Sequence, residues 1–505
     1  MTFIVQNLIL TGARSFFCQQ SLAILYHADM NIREISCDTV VIGAGTAGLE
    51  AYRAAAEGGA DCVLADGGKL GTTAQRSGEL PASYLMNSAL AVRELQSFRS
   101  KGLLIQDPKV ETSGVLGMVR AMRSRATSSV LSFLYRIPEE KRLLGMVSFE
   151  DPHTLMVEDT CRVHFKTAVI ATGTQPLITY EQAQLKNVIT TNEFYEQEKL
   201  PSSAAVFGST AVGLQLGQAL SYLGVDVTVF GQRMLWELSD EEVLSCALNS
   251  FSSRFNLAVD SFITSIEPEE HGYSIYYIDG GKYENYLYTT EVIAASARIP
   301  NVGGLNLQHI GVKLTREGYI RTEPNTMQTS VKHIFAAGSV KGSVSTAQAE
   351  AEGRYAGMNA ARPDHLMAMP ETVNLQICYT DPVLAIAGRG FEAMKKWAYE
   401  SGGTFIAARA SFGDTLSGNG HHQGGILALY VDKESHRIMG AELCAREADH
   451  LAQFLAFAIR KRTLVEELLD FNFVHLTGEE VLSRAAADAV QKLTGRSGYQ
   501  RLLQP

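Results

Sequence analysis

The chain has 505 residues, of which 46% are hydrophobic and 19% charged, and this length predicts several domains rather than one core. Its 44 basic and 54 acidic residues give a net charge of -10, which argues against a nucleic-acid-binding surface. No apolar run is long enough to predict a membrane span, and seven cysteines without a CxxC spacing are typical of reduced thiols in the cytoplasm.

The first 29 residues contain one arginine, no early basic cluster and no clear cleavage site. A secretory signal is therefore not expected. We interpret residues 1–29 as an extension that is disordered or that precedes a true start at Met30. An anchor or transit segment is the alternative.

The stretch CDTVVIGAGTAGLEAYRAAAEGGADCVLADGG predicts a strand, a glycine turn, a helix and a second strand. Gly43 permits the tight turn, Gly45 lets the backbone approach a pyrophosphate, and Gly48 lets the helix pack closely on the strand. Asp66 ends the second strand, where a carboxylate can accept hydrogen bonds from both ribose hydroxyls. The combination favours a dinucleotide site over a plain glycine turn.

The stretch AAVFGSTAVGLQLGQALSYLGVDVTVFGQR repeats this pattern, with Gly208 and Gly213 at the first and last glycine positions. Thr210 replaces the middle glycine, and its branched side chain is expected to crowd the pyrophosphate position. The second dinucleotide fold is therefore predicted with an altered site.

The end of the next strand is altered as well. Gly231 stands where the first copy has Asp66, so the usual selection for an unphosphorylated ribose is absent. Arg233 either meets a 2′-phosphate or is a solvated loop residue. Binding of a nicotinamide nucleotide is left open on these residues.

Two other features have ordinary structural explanations. Residues 112–136 predict one long helix with a solvated face that carries Arg120, Arg123 and Arg125. His421 and His422 lie in a glycine-rich hairpin loop, which explains them without a metal site.

The two units and a series of shorter motifs resemble the pyridine nucleotide–disulfide oxidoreductases, and the dihydrolipoamide dehydrogenases among them most closely. The resemblance runs from about residue 36 to about residue 490. The family's crossover between its dinucleotide domains is similar to VIATGTQP (169–176), and its return segment to ASARIPNVGGL (295–305). Its flavin-binding strand is similar to HIFAAGSV (333–340), and the helix after that strand to AEAEGRYAG (349–357). The opening of its dimerisation domain is similar to YTDPVLAIAG (379–388), and that domain's central hairpin to GGILALYVDKESHRIMGAEL (424–443).

The resemblance implies an α/β fold with two Rossmann-like dinucleotide-binding domains and an α+β C-terminal dimerisation domain. It assigns 30–178 and 298–371 to an FAD-binding domain, 179–297 to an NAD(P)-binding-like domain and 372–505 to dimerisation. It also implies a homodimer. FAD would be held by Gly43, Gly45, Gly48, Asp66, Gly71, Thr72, Thr73, Gly173, Arg298, Gly338 and Ser339, the last replacing the family's aspartate, and NAD(P)H would be held at the altered site of Gly208 and Gly213.

The segment GTTAQRSGELPASYL, residues 71–85, resembles the family's redox motif GGTCxNxGCxPSK without its cysteines. Ala74 and Glu79 stand at the two cysteine positions, so the thiolate chemistry that reduces a disulfide substrate is not expected. The family's lysine near the flavin and its glutamate partner correspond to Ser83 and Gln215. Loss of both avoids leaving one unpaired, partly buried charge.

The segment FVHLTGEE, residues 473–480, resembles the family's HPTxxE segment, with His475 as acid–base group and Glu480 as its orienting partner. In the family this histidine reaches across the dimer to the cysteine pair. The alternative is that the pair now only stabilises the dimer interface. For Glu79, the resemblance leaves three roles open: lowering the flavin potential, pairing with His475 of the partner subunit, or pointing into solvent.

We therefore expect an FAD-dependent oxidoreductase that moves electrons from NAD(P)H to a small acceptor other than a disulfide, such as a quinone, a dye or oxygen. The alternative is a non-catalytic homologue that binds FAD or a nucleotide as a structural or sensory ligand. The intact first glycine turn favours bound FAD in both cases, whereas Thr210, Gly231 and Ser83 favour the second.

Overall fold

The computed structural model of the chain describes residues 32–106, 108–185, 187–231, 235–415 and 424–495. The predicted extension 1–29 with Met30, the loop residue Arg233, and His421 and His422 lie outside the described residues.

The first sheet has seven strands: β1 (Arg33–Ile42), β2 (Cys62–Asp66), β3 (Arg142–Leu144), β4 (Val147–Asp151), β5 (Thr154–Val157), β6 (Cys161–Ile170) and β17 (Ile334–Ala336). The strands β3, β2, β1 and β6 are parallel neighbours, and β5 and β4 continue the sheet antiparallel. β17 pairs in parallel with the end of β6. The carboxyl ends of β1 and β6 are fully buried, as expected of parallel strands covered on both faces.

Five helices accompany this sheet: α1 (Thr46–Glu57), α2 (Thr73–Arg76), α3 (Glu79–Ser97), α4 (Thr112–Leu134) and α9 (Thr346–Ala361). α1 and α9 lie in close backbone contact because glycines face alanines. A Cβ added to Gly353 or Gly357 would stand 2.2 Å from the carbonyl oxygen of Ala47 or Ala51. The small residues of the motif AEAEGRYAG thus set how closely α9 covers the first dinucleotide unit.

The long helix predicted over 112–136 is present as α4, which ends two residues earlier. The prediction of a solvated arginine face is wrong for Arg120 and Arg123. Arg120 donates to the carbonyl of Gln197, and Arg123 forms an ion pair with Glu196 at 2.8 Å. These arginines therefore fasten α4 to the segment that leads into the second sheet.

The second sheet has five parallel strands in the order β11–β10–β9–β15–β8: β8 (Ile189–Thr190), β9 (Ser203–Phe207), β10 (Asp226–Phe230), β11 (Asn256–Ala258) and β15 (Glu291–Ala294). An antiparallel sheet packs beside it, formed by β12 (Ser261–Glu269), β13 (Gly272–Asp279) and β14 (Tyr283–Thr289). The helices of this region are α5 (Tyr180–Ala183), α6 (Thr191–Phe194), α7 (Ala211–Tyr222) and α8 (Glu241–Ser252).

Two short antiparallel strands lie where the chain leaves the first sheet and returns to it, namely β7 (Thr174–Pro176) and β16 (Arg298–Pro300). Their register brings the crossover motif VIATGTQP beside the return motif ASARIPNVGGL. The paired segments therefore join the first dinucleotide unit to the second.

The C-terminal region has an antiparallel sheet in the order β18–β19–β22–β21–β20: β18 (Leu375–Cys378), β19 (Val383–Gly388), β20 (Phe405–Ser411), β21 (Ile426–Asp432) and β22 (Ile438–Ala445). Its helices are α10 (Phe391–Ser401), α11 (Ala448–Arg460), α12 (Val465–Leu469) and α13 (Glu480–Thr494). α11 buries Leu451 and Leu455 against its own sheet, and leaves Phe457 59% exposed. The predicted fold class, two dinucleotide folds and an α+β C-terminal domain, is confirmed. Within the described ranges, no helix is long and apolar enough to cross a membrane.

Candidate functional site

The glycine turn between β1 and α1 can hold a pyrophosphate. Gly43 has φ +106°, and a Cβ there would stand 2.3 Å from the carbonyl oxygen of Ala171. A Cβ on Gly48 would stand 1.8 Å from the oxygen of Gly43, so α1 can pack here only without a side chain. A Cβ on Gly45 meets only Ala171, at 4.0 Å. The space above Gly45 is therefore open at the N-terminus of α1, where backbone N–H groups favour an anion.

Asp66 ends β2 beside this turn. Its two carboxylate oxygens accept hydrogen bonds from the backbone N–H groups of Ala44, at 2.5 Å, and Gly68, at 2.7 Å. Both bonds fix the carboxylate at the carboxyl edge of the sheet, the usual ligand position of this fold. The geometry fits the adenosine ribose of FAD, as the sequence predicts.

Of the other predicted FAD residues, Gly338 and Gly173 lie near the first turn, and Gly71, Thr72 and Thr73 lie at the start of α2. Gly338 has φ +80°, and an added Cβ would stand 2.8 Å from the Cβ of Ala47 in α1. Gly173 has φ +70° and lies against Ser339, whose Oγ is 3.7 Å from the Cβ position. Gly71, with φ +99°, precedes Thr72, the buried N-cap of α2, and Thr73, which is the exposed first residue of that helix.

Glu352 was missed by the sequence reasoning. It is fully buried in α9 and accepts hydrogen bonds from the backbone N–H of Gly338 at 3.0 Å and from Lys341 Nζ at 2.8 Å. Gln348 donates to the same carboxylate at 2.9 Å. Glu352 therefore holds the loop that carries Ser339. Its position within the motif AEAEGRYAG is the sequence feature by which it could have been predicted.

Arg298, which the resemblance places among the FAD residues, has hydrogen-bond partners within the chain. Its Nε and Nη2 donate to the hydroxyl and the carbonyl of Thr174, at 2.9 and 2.7 Å. Burial lowers the pKa of its guanidinium. The side chain therefore ties β16 to β7.

The segment 71–85 spans α2 and the start of α3. Ala74 lies in α2, and Glu79 is the exposed first residue of α3, where it accepts a hydrogen bond from Thr346 Oγ1 at 2.9 Å. Thr346 begins α9, so Glu79 faces the helix that covers the first dinucleotide unit. Ser83 lies in α3 and Gln215 in α7, and these two helices pack together, as the predicted correspondence with the family's charged pair requires.

His475 and Glu480 are brought together at the start of α13. His475 Nδ1 stands 3.3 Å from Glu480 Oε1, and the backbone N–H of Leu476 donates to the same oxygen at 2.5 Å. The Glu480 side chain is 9% exposed and that of His475 is 80% exposed. The imidazole is thus held at Nδ1 by a buried carboxylate, and most of the ring is exposed.

The second glycine turn has the same backbone but a different surface. Gly208 has φ +129°, and a Cβ on Gly213 would stand 1.9 Å from the oxygen of Gly208. Thr210 is the N-cap of α7: its hydroxyl donates to Ala295 O at 2.8 Å and accepts from the Gly213 N–H at 3.3 Å. One helix N–H that could bind phosphate therefore already has a partner within the chain.

Gly231, which follows β10, leaves little space for a side chain unless Ser209 moves. A Cβ there would stand 2.7 Å from Ser209 Oγ. A cavity of about 640 Å³ opens at this edge of the sheet, and its lining includes aromatic side chains and two acids: Phe207, Phe230, Trp236, Phe262, Glu237 and Asp260. The cavity lies beside the second glycine turn, since Gly208, Ser209 and Thr210 are also among its lining residues.

Comparison with known proteins agrees with this architecture. A family model described as pyridine nucleotide–disulphide oxidoreductase matches residues 37–353, and the dimerisation-domain model of that family matches residues 375–486.

Two relatives share most of the chain. A dihydrolipoyl dehydrogenase of Buchnera aphidicola subsp. Acyrthosiphon pisum (strain APS) is 25% identical over 474 residues, which cover 90% of this chain and 96% of the relative. A mercuric reductase of Shigella flexneri is 30% identical over 474 residues, which cover 88% of this chain and 79% of the relative.

The solved structure of the Cu(II) complex of the HOCl-induced flavoprotein disulfide reductase RclA from Escherichia coli superposes with a TM-score of 0.74. It is 17% identical and covers 89% of this chain and 99% of that chain, a likeness that shows the fold. The chain therefore belongs to the pyridine nucleotide–disulphide oxidoreductase family, whose members are FAD- and NAD(P)H-dependent oxidoreductases.

Proposed function

We propose that the protein is a cytoplasmic, homodimeric FAD-dependent oxidoreductase that draws electrons from NAD(P)H and delivers them to an acceptor other than a disulfide. The observation that supports this proposal is the sequence of segment 71–85, where the resemblance puts Ala74 and Glu79 at the positions of the family's cysteine pair. A methyl group and a carboxylate cannot form a mixed disulfide with a substrate.

The residues around the first glycine turn fit FAD. Gly43, Gly45 and Gly48 would hold its pyrophosphate, Asp66 its ribose, and Ser339 its ribityl chain. FAD supplies the two-electron redox chemistry of this family when it is bound. The chain itself would orient the cofactor through Asp66 and through Glu352, which fixes the loop of Ser339.

Ser83 and Gln215 alter the charge expected beside the flavin, and Ser83 by itself favours the non-catalytic candidate. They replace a lysine and a glutamate that form an ion pair in the family, so no fixed positive charge from position 83 stands beside the flavin site. Glu79 instead places a negative charge at the old cysteine position, bonded to Thr346. A negative charge there disfavours an anionic reduced flavin and so favours donation to the acceptor.

The proposal is tested on the purified FAD-loaded protein in three assays. We expect no NADH-dependent reduction of lipoamide or glutathione above background, and loss of the flavin absorption band on anaerobic addition of NADH or NADPH. Quinones and dyes should then restore the band. Appreciable lipoamide turnover that disappears when FAD is removed would contradict the proposed acceptor class.

A non-catalytic, FAD-binding homologue is the second candidate, and the second glycine turn favours it. Thr210 caps α7 with the hydroxyl that borders the expected phosphate position, and Ser209 fills the place of a ribose-binding acid at Gly231. A yellow protein whose spectrum ignores both nicotinamide nucleotides would establish this candidate and overturn the first.

The variant Thr210→Gly separates the two candidates further. A glycine N-cap costs α7 only a few tenths of a kcal/mol and frees the Gly213 N–H for a phosphate. The Kd for NADH should fall several-fold if this site binds the nucleotide. Thr190→Gly, which removes the N-cap of α6 and leaves the Thr210–Gly213 bond in place, is the matched control and should leave the Kd unchanged.

A further inference from the structure

The two glycine turns differ in how an acidic side chain is placed beside them. In the first unit, Asp66 ends β2, and its carboxylate accepts the backbone N–H of Ala44 at 2.5 Å. By their places in the repeated pattern, the equivalent residues of the second unit are Gly231 and Ser209. Ser209 Oγ would stand 2.7 Å from a Cβ on Gly231, so the serine occupies this place. Position 231 therefore brings no charge to a bound ribose.

Asp260 is brought to this place by the neighbouring strand. β11 pairs in parallel with β10, and the backbone N–H of Gly231 donates to the carbonyl of Ala258 at 3.0 Å. Val259 lies directly beside Gly231, because its Cα would stand 3.0 Å from a Cβ on the glycine. Asp260 is the next residue, and it is exposed and lines the cavity beside the second glycine turn. An acid thus follows β11 at the edge where a glycine follows β10.

Glu237 is brought to the same cavity by the segment that leads from β10 to α8. The backbone N–H of Trp236 donates to the carbonyl of Ser209 at 2.7 Å, which fastens this segment to the second glycine turn. Trp236 is buried, with 8% of its surface exposed. Glu237 follows it, and this residue is exposed and lines the cavity. The second acid is therefore positioned by a backbone bond to the turn itself.

The charge around the cavity distinguishes between two kinds of ribose. Among the described residues that line it, the charged side chains are Glu237 and Asp260. A 2′-phosphate on the ribose adds about two negative charges, which the two carboxylates would repel. An unphosphorylated ribose brings no charge at this position and meets no such repulsion. The cavity therefore opposes one of the two nicotinamide nucleotides.

We propose that Glu237 and Asp260 make this cavity selective for a nucleotide without a 2′-phosphate, so that NADH rather than NADPH is the reductant. This inference rests on the proposed use of NAD(P)H, and it names which of the two nucleotides is used. An acid at the end of the second strand selects by bonding the ribose hydroxyls. Here the selection comes instead from repulsion of the competing nucleotide, which is the other physical route to specificity.

The test measures the Kd of NAD+ and of NADP+ for the full-length FAD-loaded protein by titration calorimetry, which requires no flavin reduction. We expect NAD+ to bind about tenfold more tightly or better, since juxtaposed like charges suppress the wrong ligand. The ratio should shrink between about 0.05 and 0.5 M salt, because salt screens exposed carboxylates. Glu237→Gln and Asp260→Asn should each lower the Kd of NADP+ several-fold and leave that of NAD+ nearly unchanged. The matched control is Glu270→Gln, which removes an exposed acid of the same unit that is not among the cavity's lining residues, and it should change neither Kd.

The wild-type titrations decide the proposal even if a variant fails to fold. Equal Kd values for the two nucleotides, or no binding of either at millimolar concentration, would overturn it. Tighter binding of NADP+ would overturn it in favour of Arg233 as the partner of a 2′-phosphate. Variants that change both Kd values by the same factor would overturn it as well, because the acids would then act on the whole nucleotide. Selective NAD+ binding without bleaching of the flavin by NADH would keep this inference and contradict the proposed electron transfer.

Discussion

At the scale of single residues, the acid at the end of β2 and the serine at the end of β17 offer FAD bonds of different strength. Asp66 presents a carboxylate held by two backbone N–H groups, whereas Ser339 presents a neutral hydroxyl. A charge-assisted bond contributes about 1.5–3 kcal/mol and a neutral bond about 1 kcal/mol.

Asp66→Ala is therefore predicted to weaken FAD binding more than Ser339→Ala. The measurement is the flavin Kd from fluorescence on release of FAD, with Asp66→Asn as a control that keeps the shape of the side chain and removes its charge. Equal retention of FAD by the Asp66→Ala and Ser339→Ala variants would contradict this order.

Single residues also show which features of the site could be predicted from the sequence and which could not. The spacing of Gly43, Gly45 and Gly48 predicts both the turn and its open face, because steric limits on a Cβ act locally. Glu352 could not be predicted in this way, since its bonding partners are a backbone N–H and side chains of a loop that the fold brings to it. The direction of the Thr210 hydroxyl, toward the carbonyl of Ala295, likewise depends on a segment 85 residues away in the chain.

At the scale of elements, the outer glycines of the first turn allow close backbone packing around α1, and the middle glycine leaves space for a ligand. A methyl group on Gly48 would collide with a backbone oxygen at 1.8 Å, whereas a methyl group on Gly45 meets no protein atom closer than 4.0 Å. The packing of the helix requires that Gly48 has no side chain, whereas only a bound cofactor would require this of Gly45.

Gly45→Ala is thus expected to keep the fold and lose FAD, while Gly48→Ala should lose both. Overpacking in a well-packed contact costs about 1–3 kcal/mol, so Gly48→Ala should lower the stability of the apoprotein by at least this order. Thermal unfolding of the FAD-free variants and their flavin content give the two readouts. A destabilised Gly45→Ala apoprotein would contradict the assignment.

Helix α4 shows the same division between local and distant causes. Its length follows from its own sequence, and the prediction ended within two residues of the observed end. The partners of Arg120 and Arg123 could not be predicted, because they lie 77 and 73 residues further along the chain. Composition alone therefore could not tell these arginines from a solvated face.

At the scale of the whole molecule, the C-terminal domain has large apolar side chains that stay exposed among the residues the structure describes. Large side chains with exposures from 47% to 72% include Tyr379, Phe457, Phe471, Val474 and Leu476. Apolar surface of this kind marks an interaction site, and the matched dimerisation model makes a second copy the expected partner.

We predict a homodimer at micromolar concentration, measured by light scattering. Phe457→Glu should shift the protein toward monomer by placing a charge in the interface. The matched control is Phe262→Glu, an equally drastic change at a residue that is 70% exposed in the antiparallel sheet of the second unit. A stable wild-type monomer would contradict the prediction.

The same dimer can give the segment GTTAQRSGELPASYL a new contact. One carboxylate oxygen of Glu79 accepts from Thr346. Glu480 contacts Nδ1 of His475, whose side chain is otherwise exposed. Leaving the second carboxylate oxygen of Glu79 or the Nε2 of His475 without a partner is costly once an interface removes water from it. Pairing Glu79 with His475 of the partner subunit would offset both costs.

The pair should therefore couple in a double-mutant cycle of Glu79→Gln and His475→Gln, by about 1 kcal/mol or more in the free energy of dimer dissociation. Sedimentation equilibrium of the wild type, both single variants and the double variant supplies the four values. His450→Gln, at another exposed histidine of the C-terminal domain, replaces His475→Gln in the control cycle and should give no coupling. Additive effects of Glu79→Gln and His475→Gln would show that the two side chains act independently and that the old cysteine position has gained no partner across the dimer.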